Sequence, residues 1–172
     1  MKSTLFDEFV PTMARLEDLQ LSHRLFVEAY PFRTSDWAPG ARLTKPLSQS
    51  KLALISSAGL HLPAQLPFDL EMRGGDVSFR ELPGTLDVRD LRISQRSSDF
   101  DQTGAREDSN LVFPLDRFRE LLERGEIASL NHRHFSFMGS VTAPGRLLSD
   151  SAPRVAEMLR EDRVDAAFLV PA

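Results

Sequence analysis

Three places in this 172-residue chain combine residue types that can do chemistry. The stretch KLALISSAGLHL, residues 51–62, ends an apolar run with Ser56, Ser57, Gly59 and His61, which puts hydroxyls and an imidazole around a glycine turn. His132 and His134 set two imidazoles two residues apart, a spacing that can serve acid–base work near neutral pH or ligate a metal. Asp108, Asn110, Asp116 and Arg117 gather carboxylates, an amide and a guanidinium at the start of one helix. Such a set can hold a carboxylate or an ammonium group, the guanidinium acting as a bidentate clamp; equally, it can be an ion pair tying the helix to the preceding loop. A metal site on His132 and His134 would need a third or fourth ligand, for which His61, Asp99, Asp101 or Asp108 are available. No G-x-S-x-G elbow surrounds Ser56 or Ser57, which argues against serine hydrolysis.

The elements that must position these groups follow from hydrophobic pattern and punctuation. Leu52 to Ile55 is a continuous apolar run, as in a strand covered on both faces. Ligands of open α/β sheets bind outside the carboxyl ends of the strands, which places Ser57, Gly59 and His61 at a site by topology. Upstream, Thr12 to Tyr30 has helical spacing for one or two helices up to Pro31, and residues 32–50 are irregular. Residues 1–46 are thus a helical and irregular segment, and residues 47–172 the core of a single domain. After the first strand come an excursion with the turn pair Gly74-Gly75, a short strand near Val77 to Leu82, and a second strand at Asp87 to Ser94. The helix signal is strongest in Asp108 to Gly125. There Pro114 suits the first turn, Leu115, Phe118, Leu121 and Leu122 share a face, and Gly125 stops the helix. Phe135 to Val141 reads as a strand or buried loop, Ser151 as the cap of a helix reaching Asp162 with Pro153 in its first turn, and Val164 to Val170 as a final strand. This order predicts an α/β domain of three layers, a mainly parallel sheet with helices on both faces, Rossmann-like or flavodoxin-like.

Composition narrows the function. A net charge of -4 with dispersed basic residues gives no footprint for nucleic acid. The absence of cysteine removes disulfides, thiolate nucleophiles, iron–sulfur clusters and cysteine zinc sites from these residues. Neither the Walker pattern nor the dinucleotide fingerprint occurs. Acidic residues in the first twenty positions and the lack of a long apolar run predict a cytoplasmic protein without a membrane span.

Four stretches, KLALISSAGLHL, GGDVSFRELPG, DSNLVFPLDRFRELLERGEIASLNHRHFSFMG and SAPRVAEMLREDRVDAAFLVPA, resemble in order and interval the selenoprotein B family of glycine, sarcosine, betaine and D-proline reductases. The similarity covers Lys45 to Ala172 and is most specific from Asn110 to Gly139. It implies reductive cleavage of a carbon–nitrogen bond in an amino acid or related amine, within a complex of partner reductase subunits or a carrier protein. It also implies a redox selenocysteine or cysteine after the final strand, whose selenolate or thiolate attacks the substrate carbon. On the matching motifs, Ser57, Gly59, Asp108, Asn110 and Arg117 would bind substrate, with Arg117 or Asn110 orienting its carboxylate. One of His61, His132 and His134 would protonate the leaving amine. The redox residue is absent: the match stops at Val170-Pro171-Ala172. The chain is therefore expected either to be truncated before that residue or to be a non-catalytic binding or assembly subunit. A metal-dependent lyase or hydrolase using the histidines is the further alternative.

Overall fold

The computed structural model describes residues 16–30, 40–97 and 100–172. Asp99, one of the further metal ligands considered above, lies outside them. The chain forms two compact units, Met1–Ala41 and Arg42–Ala172. In the first, a 3-10 turn, Leu16–Asp18, precedes helix α1, Leu21–Ala29, which buries none of its residues.

The second unit holds the strands β1 (Lys51–Ser56), β2 (Leu60–His61), β3 (Phe79–Pro83), β4 (Arg92–Ile93), β5 (Ser129–Leu130), β6 (Arg133–Phe137) and β7 (Ala166–Val170). Its helices are α2 (Thr103–Glu107), α3 (Leu115–Glu123) and α4 (Ala152–Glu161). β1 is the centre of the main sheet. It pairs in parallel with β7 on one side and, on the other, with β5 at its start and β6 at its end. β3 then runs antiparallel to β6, and β2 and β4 form a separate antiparallel ribbon. The sheet is therefore mixed rather than mainly parallel throughout, because β3 adds antiparallel at its edge, beyond β6. β6, α4 and β7 form one parallel crossover that spans β1.

The core follows the pattern of β1. Leu52 and Leu54 point into a buried cluster with Leu60, Leu82, Phe113, Leu115 and Phe118; Ala53, on the opposite side of the pleat, is buried outside that cluster, as are Phe135 and Val155 of α4. At roughly 1.5–3 kcal/mol per large apolar side chain removed from water, these residues supply the main stabilising term.

Local chemistry decides several boundaries. α3 ends as expected: Gly125 has φ +71, its N–H donates to the Leu122 carbonyl, and Glu126 N–H reaches back to Leu121 at 2.9 Å, a Schellman motif. α4 differs from expectation. A π-helical turn, Leu147–Ser151, leads into it, so Ser151 sits inside the helix with no capping bond. The expected strand Asp87 to Ser94 is mostly a 3-10 turn. Asp87 accepts the Arg89 N–H and curls Val88–Asp90, which leaves only Arg92–Ile93 extended.

Candidate functional site

Ser57 and Gly59 lie where β1 ends. Ser57 N–H donates to the Val170 carbonyl at 3.0 Å, and its Oγ accepts from Ala172 N–H at 2.9 Å. Gly59, at φ +71, presses against β4's continuation so closely that a Cβ would overlap the Ser94 carbonyl. Buried Gln95 donates from Nε2 to the Ser57 carbonyl at 3.3 Å. A Cβ on Gly139 would lie 2.8 Å from that same nitrogen. His61 is buried behind this edge. Its Nδ1 donates to the Leu62 carbonyl and its Nε2 accepts from Ser94 Oγ, both at 3.0 Å, because a carbonyl can only accept and so fixes the neutral tautomer.

Asp108 and Asn110 instead line a cleft of about 560 Å³, within the range of small-molecule sites. Its lining is apolar at Val88, Leu91, Ile93 and Ala105 and charged at Arg89, Arg92, Arg106, Glu107, Asp108 and Asp116. Asn110 ties part of this lining together. Its Nδ2 donates to Asp108 at 2.9 Å and to Asp116 at 3.2 Å, and its Oδ1 accepts Asp116 N–H at 3.0 Å. It thereby satisfies one of the free donors that open α3. The bond from the Asn110 side chain holds the Asp108 carboxyl below its usual range, so this part of the lining is anionic at neutral pH. Arg117 does not line the cleft; it pairs with Glu120 at 2.7 Å on the outer face of α3. The inward guanidinium is Arg119, which bonds Asp116 at 2.7 Å and the carbonyls of Gly84 and Leu86 at 2.9 and 2.8 Å.

His132 and His134 are not brought together. His132 is exposed, 4.0 Å from Asp162. His134 is fully buried on β6, where the ladder between β1 and the β5–β6 edge is interrupted. Its Nδ1 accepts the Leu54 N–H at 3.1 Å, replacing a carbonyl as the acceptor for that backbone donor. The ring is therefore neutral and protonated on Nε2, which finds no partner among the described residues. Burial, with the nearby Arg119 and His132 charges, pushes its pKa down to about 4. Asn131 and Arg133, absent from the sequence-predicted site, tie the start of β6 to the end of α4. Arg133 grips Asp162 in a bidentate pair at 2.7 and 2.9 Å, and Asn131 Nδ2 reaches the same carboxylate at 2.8 Å. Among the described residues, no group of three or more histidines and carboxylates could hold a metal ion.

Comparison with known proteins places the chain in a family. The family described as glycine/sarcosine/betaine reductase selenoprotein B matches residues 16–172. D-proline reductase subunit gamma of Acetoanaerobium sticklandii is 34% identical over 133 residues, 77% of this chain and 52% of the relative. Glycine reductase complex component B subunit gamma of Symbiobacterium thermophilum is 29% identical over 145 residues, 84% of this chain and 33% of the relative. Sarcosine reductase complex component B subunit beta of Peptoclostridium acidaminophilum is 26% identical over 151 residues, 87% and 34%. The chain thus spans about half the length of the first of these and about a third of the others. No solved structure matches. With the family matched over nearly the whole of its length, the chain belongs to the glycine/sarcosine/betaine reductase selenoprotein B family.

Proposed function

We propose that this chain is a subunit of a cytoplasmic reductase complex that cleaves a carbon–nitrogen bond of an amino acid or related amine, and that the 560 Å³ cleft takes the substrate. The observation that carries the reading is the 34% identity to D-proline reductase subunit gamma over 77% of this chain. The cleft's chemistry supports it. A zwitterion needs cationic and anionic groups beside an apolar surface, and Arg92, Arg106, Asp108 and Asp116 line this cleft together with Leu91 and Ile93. In this assignment Arg92 or Arg106 takes the carboxylate and Asp108, held in place by Asn110, takes the ammonium group.

Reductive cleavage replaces the carbon–nitrogen bond with a C–H and an N–H bond, consuming two electrons and two protons. The 172 residues contain no cysteine, so the thiolate or selenolate that delivers the electrons comes from polypeptide outside them, with partner subunits or a carrier protein completing the cycle. His61 does not line the cleft and both its ring nitrogens are engaged by Leu62 and Ser94, so its part in this reading is to hold the β2–β4 pair rather than to deliver the proton. The β6–α4–β7 crossover supports reading the sheet as part of a doubly wound, Rossmann-like or flavodoxin-like arrangement.

Native purification of the tagged chain tests this reading. It predicts co-purifying reductase subunits and a KM for the amine substrate raised about tenfold or more by Asp108→Asn, the order expected for loss of a charged hydrogen bond. A KM that Asp108→Asn leaves unchanged in an active complex removes the cleft from the account.

A further inference from the structure

A second cleft, of about 410 Å³, opens between β3 and the start of the α4 helix. Its position follows from the sheet. β6 runs parallel to β1, and Phe79, the first residue of β3, pairs with Phe137, the last of β6. The cleft therefore lies at the carboxyl edge of the parallel strands, where α/β sheets place ligands.

The loop that reaches it from β6 is held down by Gly74 and Gly75. At φ +86 and +96 they take conformations that favour glycine, and a Cβ on either would lie 2.6 Å from Ala143 or 2.9 Å from Val141. Thr142 and Ala143 both donate to the Gly74 carbonyl. That docking delivers Arg146 to the lining of the cleft, and α4 delivers Arg154.

The charges around the cleft are unevenly matched. Asp76 is consumed by bonds from Asp69 N–H and from the Ser78 backbone and hydroxyl, and Glu81 faces Arg133 at 3.6 Å. Arg146 and Arg154 have no carboxylate partner among the described residues. Asp150, four positions from each, also lines the cleft and would pair with them on a regular α-helix. The intervening π-helical turn, Leu147–Ser151, widens the ladder and breaks that register; such turns recur at functional sites. The Arg154 guanidinium lies 5.7 Å from the Phe79 ring centroid, so one guanidinium is held over an aromatic wall.

From this arrangement we infer that the cleft at the carboxyl edge binds a small oxyanion, a carboxylate or phosphate group, between Arg146 and Arg154, with the apolar body of the ligand against Phe79. The inference stands apart from the reductase assignment and its cleft. Bidentate guanidinium contacts suit both oxyanions.

The test is titration of the full chain, labelled for amide NMR, with inorganic phosphate in one arm and benzoate in the other. Saturable shifts confined to residues 76–81 and 146–154 are expected in at least one arm, and the arm that responds identifies the oxyanion. Arg146→Gln and Arg154→Gln each should weaken that binding about tenfold or more, while Arg106→Gln, in the other cleft, should leave it unchanged. Absence of saturable shifts in both arms overturns the inference in the unsubstituted chain, without reliance on any variant. So does binding that the Arg146→Gln, Arg154→Gln double variant retains.

Discussion

His134 makes stability depend on pH in a window above that of the depressed carboxyls. The ring is buried and neutral because Nδ1 must accept the Leu54 N–H, and its pKa falls from 6.5 to about 4. Between these values the unfolded chain binds a proton that the folded chain refuses. Stability is therefore complete above about pH 6.5 and declines as pH falls towards 4. At about 1.4 kcal/mol per tenfold change in proton affinity, the loss comes to about 3 kcal/mol. The depressed carboxyls of Asp76, Asp162 and Asp165 act lower. Their contribution is present above the ordinary carboxylate value of 3.8 and is lost only as pH falls through their folded values. Urea unfolding followed by circular dichroism from pH 7.5 to 4 measures the slope. His134→Asn keeps a side-chain acceptor near Leu54 N–H and removes this titration, so it should lose the part of the slope that His134 supplies. A slope equal to that of the unsubstituted chain would refute the assignment of His134 as the neutral acceptor.

Other positions give simpler expectations. Arg133→Ala removes the bidentate partner of the Asp162 carboxylate and leaves it only the Asn131 amide, which should cost about 2 kcal/mol in urea unfolding. Gly59→Ala and Gly125→Ala both place a side chain at φ +71. Only Gly59 faces a backbone carbonyl, whereas a Cβ on Gly125 meets open space. Gly125→Ala should therefore lose about 1 kcal/mol and Gly59→Ala markedly more, read as the difference in urea midpoints. Asn110→Ala removes the side-chain acceptor for Asp116 N–H and should cost about 1 kcal/mol.

The parts of the fold legible in the sequence were those set by local pattern. β1 shows in its apolar run, and α3 in the spacing of Leu115 and Phe118 and the Gly125 stop. The misread segments turned on competition that pattern does not express. Val88, Leu91 and Ile93 looked like strand alternation, but the Asp87 carboxylate captured the Arg89 N–H and curled the chain first. Ser151 and Pro153 looked like a helix start, yet the helix begins earlier through a π-helical turn. For the candidate site, Asp108 and Asn110 reach a cleft because both belong to one local turn. Arg117 and Arg119 sit two residues apart on α3, and only contact with Gly84 and Leu86 decides which guanidinium turns inward. The roles of His134 and Arg133 depend on partners 80 and 29 positions away, beyond any spacing rule.

The most direct test of the reductase account is turnover by the natively purified complex. Glycine, sarcosine, betaine and D-proline would each be supplied with a dithiol reductant, before and after alkylation with iodoacetate. The account predicts that at least one is consumed, with release of the free amine or ring-opened product, and that alkylation abolishes turnover because a thiolate or selenolate outside these 172 residues carries the electrons. No consumption of any of the four, or turnover that survives alkylation, would contradict it.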